Sequence, residues 1–115
     1  MLIHLFYPNQ KKDISLLCQK IRQLCITRDY PACITLITSA LAKYPDAPEP
    51  HNLLGILYEK TGNHPMAMRH FQVASALDPT YQPAAFNMER FGAFDLRGAC
   101  AFDPSDCIHH TTMEL

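Results

Sequence analysis

Apolar residues recur three and four positions apart from Ile14 nearly to Phe91, interrupted at short intervals by turn-forming residues, and this spacing predicts five helices. Ile14, Leu17, Ile21, Leu24 and Cys25 mark the first, with Asp13 as its N-cap and an end near Thr27. Arg28, Asp29 and Tyr30 turn the chain, and Pro31 opens a second helix that carries Ile34, Ile37, Ala40 and Leu41 on one face and stops before Pro45. Leu54, Gly55 and Tyr58 belong to a third. After a Gly62-Asn63 turn comes a fourth, with Ala67, Phe71 and Ala74 inward and Pro65 in its first turn, where a missing N–H costs nothing. Pro79 stops it. A fifth helix is predicted from about Gln82 to Phe91, with Ala84, Ala85, Met88 and Phe91 available for packing and Gly92 at its end. Both flanks lose the pattern. Met1 to Tyr7 is apolar and is followed by a polar stretch to Lys12. Ala93 to Leu115 mixes turn formers with scattered Phe94, Leu96 and Phe102, which predicts an irregular tail with a short strand near Ala99 to Phe102.

The first two pairs of helices are related by a shift of 34 residues. Thr27, Pro31, Ala40, Ala42 and Pro45 fall on Thr61, Pro65, Ala74, Ala76 and Pro79, each pair identical. Ile37 falls on Phe71 and Leu24 on Tyr58. Ile21 stands in the first unit where the second has Gly55, and Cys33 where it has Ala67; Cys33 serves there as a small apolar residue. Gly55 and Ala67 are small where two backbones approach, and they are expected to form the closest contact within the second pair. With Leu54, Gly55, Tyr58, Ala67, Phe71, Ala74 and Pro79 at their spacings, the second unit resembles a tetratricopeptide repeat. It departs from that family at His51, where a large aromatic is usual. The resemblance implies an all-α fold, a short right-handed α-solenoid of antiparallel helix pairs with about five helices. It divides the chain into an arm (1–13), a repeat domain (14–92, with repeats 14–47 and 48–81 and a capping helix 82–91) and a C-terminal tail (93–115).

A chain of 115 residues fits one domain. Ten basic residues against eleven acidic ones give a net charge of −1, and no basic stripe favours nucleic acid as a partner. The longest apolar stretch, residues 1–7, contains His4 and falls far short of a membrane span of roughly 20 residues. It also lacks the basic region and cleavage site of a signal peptide. Five cysteines, three of them (Cys18, Cys25 and Cys33) inside predicted helices, suit reduced thiols and a cytoplasmic address better than a disulfide framework.

By resemblance, function belongs to the concave face lined by the first helix of each repeat. The side chains expected there are Cys18, Arg22 and Cys25 from the first repeat, Asn52, Ile56 and Glu59 from the second, and Phe86 and Arg90 from the last helix. Guanidinium groups, an amide and apolar side chains suit a peptide held by hydrogen bonds and buried anchors. The family's clamp for C-terminal carboxylates is absent, because Cys18, Arg22 and Leu53 occupy positions of its lysine and asparagines. Cys100, Cys107, His109 and His110 carry zinc's preferred donor types, but the cysteines are seven apart and the histidines adjacent, unlike a structural knuckle. No phosphate loop, nucleophile elbow or H-E-x-x-H motif is present. The expectation is therefore a non-catalytic protein-interaction module or adaptor with no cofactor, binding a protein or peptide. Alternatives are metal- or thiol-dependent activity of the C-terminal Cys/His tail and structural self-association. At least one apolar end is expected to pack on the repeats, in cis or from the other chain of a homodimer.

Overall fold

The computed structural model describes residues 8–92 and 100–107, and among these the chain is all-helical, with no strand. Its helices are α1 (Gln10–Ile26), α2 (Tyr30–Lys43), α3 (Pro48–Lys60), α4 (His64–Leu77) and α5 (Gln82–Gly92). Residues 104–107 add one further helical turn. Each helix packs on the next in the chain, α3 against α4 most extensively, while α1 touches α3 and α3 touches α5. None of the described helices is long and apolar enough to cross a membrane.

α1 begins ahead of the expected Asp13 cap. Gln10, Lys11 and Lys12 are good helix formers and extend it back to Asn9, whose carbonyl accepts from Asp13 N–H at 2.9 Å. Asp13 therefore sits in the first turn, where a carboxylate suits the helix dipole. Its side chain accepts from the Tyr44 hydroxyl and, at 3.4 Å, from Lys43 Nζ, tying the start of α1 to the end of α2. The expected arm thus loses its last residues to the helix; residues 1–7 lie outside the described residues.

The turns inside the two sequence repeats share one backbone design. Arg28 (φ 59°) and Gly62 (φ 87°), 34 positions apart, both take the left-handed conformation that lets a helix end and the chain reverse. In each turn the next residue caps the following helix. Asp29 accepts from Ala32 N–H and Asn63 from Met66 N–H, both at 3.3 Å.

The core runs between the helices through Ile21, Ile37, Leu53, Ile56, Ala67 and Phe71, all fully buried. Gly55 faces the ring of Phe71. A Cβ on Gly55 would lie 2.3 Å from Phe71 Cε1, and its three nearest neighbours would all be atoms of that ring. The Phe71 ring also stacks parallel to Phe91 of α5, with centroids 6.0 Å apart. At the position where the sequence lacks a large aromatic, three rings share the space. His51 and Tyr58 each stack on His70 with centroids 5.4 Å apart, and the two histidine Nδ1 atoms approach to 3.2 Å.

Candidate functional site

α1, α3 and α5 contribute to one shared face, and residues 100–107 lie across it. Among the described residues, the buried polar ones are Asn52 on α3 and Asn87 on α5, both fully inaccessible. A buried amide without partners is costly, so the fate of its donors and acceptors determines what can sit there. Asn87 forms a two-way pair with the main chain of Ala101: its Oδ1 accepts from Ala101 N–H at 2.8 Å, and its Nδ2 donates to Ala101 O at 2.9 Å. Asn52 Nδ2 donates to the same carbonyl at 3.0 Å, and its Oδ1 accepts from Asn87 Nδ2 at 2.8 Å. Both main-chain groups of Ala101 are thereby satisfied without reference to its side chain.

The side chains that follow are gripped from α1. Arg22 donates two bonds to the Asp106 carboxylate, Nη1 to Oδ1 at 3.1 Å and Nη2 to Oδ2 at 2.9 Å, and a third from Nη2 to Asp103 Oδ2 at 3.0 Å. The guanidinium also lies 4.9 Å from the centroid of the Phe102 ring, within range for a cation–π contact. Its pKa is raised by the hydrogen bond to Asp106 first and by Asp103 as well. Burial pushes the Asp103 carboxyl up, but bonds from Ser105 and Arg22 outweigh it and hold the group below its ordinary value.

The segment is locally preorganised for this. Asp103 Oδ1 accepts from Ser105 N–H at 2.9 Å and from the Ser105 hydroxyl, capping the turn at 104–107. Asp106 Oδ2 reaches back to Phe102 N–H at 2.8 Å and Asp103 N–H at 3.3 Å. Pro104 enters at the turn's start, where no N–H is needed. Two carboxylates three residues apart are thus presented together to one guanidinium. Ala101, Phe102 and Cys107 are buried, so the contact has apolar anchors as well.

The residues expected on this face divide into three groups. Arg22 and Asn52 bond directly to residues 101–106. Cys18, Cys25 and Ile56 are buried in the packing. Burial pushes the thiols of Cys18 and Cys25 up to about 12, with negative charge on Glu49 adding to the first and neighbouring Cys33 to the second. Glu59 Oε2 lies 2.6 Å from His64 Nδ1, while the Arg90 guanidinium lies over the Phe86 ring along α5, 5.5 Å from Cζ to ring centroid. Asn87 was missed. Its signal was available: it lies on the apolar stripe of α5 between Ala84 and Phe91, where an amide needs a partner from another element. Of the potential metal ligands, Cys100 is half-buried and Cys107 buried, with both thiols raised by burial; His109 and His110 lie outside the described residues. Among the described residues no three His, Cys, Asp or Glu side chains converge as a metal site would require. The expected strand near Ala99 is not present over Cys100 to Phe102, because the main chain of Ala101 bonds to asparagine side chains instead of to another strand; Ala99 itself lies outside the described residues.

Compared with models of protein families, with curated proteins and with solved structures, the chain finds no match.

Proposed function

We propose that this chain is a non-catalytic adaptor of tetratricopeptide-repeat type, a short solenoid of antiparallel helix pairs that binds a segment of another protein across the face formed by α1, α3 and α5. The observation that carries the reading is the Asn52–Asn87 grip on the main chain of Ala101. Side-chain amides that satisfy both the N–H and the C=O of one residue suit an extended peptide of many sequences, and Arg22 adds selectivity for carboxylates. The same face binding a piece of its own chain supports its use for a piece of another. Metal- or thiol-based chemistry has weaker support, because burial raises the thiols of Cys100 and Cys107 rather than activating them.

The test is a random-peptide display screen on the wild-type chain and on a chain with Asp103→Asn and Asp106→Asn. Selected peptides should perturb the amide resonances of α1, α3 and α5 and leave the outer helices α2 and α4 little changed. Failure to select any peptide with either chain, or mapping of the selected peptides to α2 and α4, overturns the reading.

A further inference from the structure

Residues 100–107 are held to the helices by side chains of the shared face, while the backbone–backbone bond from Asp106 N–H to Asp103 O at 3.1 Å is internal to the segment. A segment bound in this way is bound as a ligand is. Its features are specific: Ala101 is fully buried, so its side chain has no room to grow. Phe102 is buried beneath the Arg22 guanidinium. Asp103 and Asp106 are both needed to fill the three bonds that Arg22 makes.

We propose that residues 100–107 are a built-in occupant that closes this face, and that the partner they exclude is a protein segment of the same chemistry: a small residue, an aromatic, then two aspartates three positions apart at the opening of a helical turn. The proposal rests on the peptide-binding reading above and names both its ligand class and its control. Charge complementarity supports it, since Arg22 has two carboxylates before it and its side chain and theirs remain a quarter to a third exposed. Solvent and a competing carboxylate can therefore reach the ion pairs. The built-in segment also fits incompletely. A cavity beside Pro104 and Ser105 is lined by Cys18, Glu49 and Tyr81, and among the described residues the buried Tyr81 hydroxyl meets no hydrogen-bond partner.

The tether determines how strongly the occupant excludes a rival. Seven residues separate Gly92 from Cys100, and a tether this short supplies an effective concentration in about the millimolar range. A free segment of equal intrinsic affinity, about 10 μM, then binds the closed chain about a hundredfold more weakly than an open one. Weakening the docked segment raises the open fraction and tightens binding in trans.

The probe is a fluorescent synthetic peptide of residues 99–107, kept reduced and titrated by anisotropy into full-length chains. The Asp103→Asn/Asp106→Asn chain should bind it at least about tenfold more tightly than wild type, because each lost charge-assisted bond releases the tethered copy. Adding Arg22→Ala to that chain should remove the gain, and a peptide with asparagine at both aspartate positions should bind at least about tenfold more weakly. If the double variant loses helicity by circular dichroism, the single Asp103→Asn chain, which keeps the two-bond pair with Asp106, carries the same comparison with a smaller gain. Equal affinity for wild type and variant would overturn the closure, and no binding to any chain would overturn the ligand class. Display peptides of unrelated sequence that still map to α1, α3 and α5 would in that case leave the binding-module reading standing, so the two failures are distinguishable.

Discussion

The first and second helical pairs are built on one 34-residue pattern, yet they fill their interiors in opposite ways. Where α3 and α4 meet, Gly55 lies against the ring of Phe71; at the matching positions of α1 and α2 stand Ile21 and Ile37. Ile21, Ile37 and Phe71 are all fully buried. One pair combines no side chain with a large one, and the other combines two of middle size. The first arrangement lets the α3 backbone come close to the partner ring, in keeping with the more extensive packing of α3 on α4 than of α1 on α2. A second exchange follows the same register. Leu17, Leu24 and Leu36 of the first pair occupy the positions of His51, Tyr58 and His70 in the second, replacing a stack of rings by aliphatic packing. The two pairs therefore share a pattern of helices and turns while filling the space between the helices with different side chains.

Transplanting one solution into the other pair tests this directly. Gly55→Ile should have the largest effect, about 3 kcal/mol or more of lost stability in chemical denaturation, because even a Cβ would meet a fully buried ring at 2.3 Å. Adding Phe71→Ile should recover part of that loss, since it reproduces the Ile21–Ile37 pairing. A double variant less stable than Gly55→Ile alone would show that the two pairs are not interchangeable at these positions.

The turns give a smaller and cleaner contrast. Arg28 and Gly62 share the left-handed conformation, which an L side chain adopts at a cost, and a Cβ on Gly62 would meet nothing within 4 Å. Arg28→Gly should therefore stabilise the chain by about 1 kcal/mol, and Gly62→Ala should destabilise it by about the same amount. Melting temperatures shifting in the same direction for both would break the equivalence of the two turns.

The smallest expected effect is a dependence on pH near neutrality carried by the ring-stacked pair. Burial lowers the pKa of His51, and burial followed by the charges of His51 and Arg69 lowers that of His70. The unfolded chain then binds more protons than the folded one just below the ordinary histidine value of about 6.5. The contribution is fully present above that value and is lost as pH falls through the lowered values in the folded state. The melting temperature should drop between about pH 7.5 and about pH 5.5, and His51→Leu with His70→Leu should make that drop shallower. An undiminished drop in the double variant would place the pH sensitivity elsewhere.

The sequence by itself determined the local elements and their spacing. Helical periodicity, Pro31, Pro65 and Pro79 as punctuation, and the matched turns at Arg28 and Gly62 all act over a few residues, so five helices were legible without coordinates. Arg22 and Asn52 could be named only through the resemblance to a repeat whose first helices line a groove, since helix register alone does not say which face is used. The tertiary structure decided what faces them. Asn87 becomes meaningful only with Ala101 beside it, 14 residues away, and Arg22 meets Asp103 and Asp106 across 81 and 84 residues of chain. The tail has no periodicity of its own to report such contacts; its turn formers prescribe a local shape but no destination. The helix start at Gln10 shows the same limit at short range, where three adequate helix formers carried the helix back past Asp13 to Asn9, a capping residue of similar rank. Local rules set the parts, and long-range satisfaction of two buried amides and one guanidinium set where the last described segment came to rest.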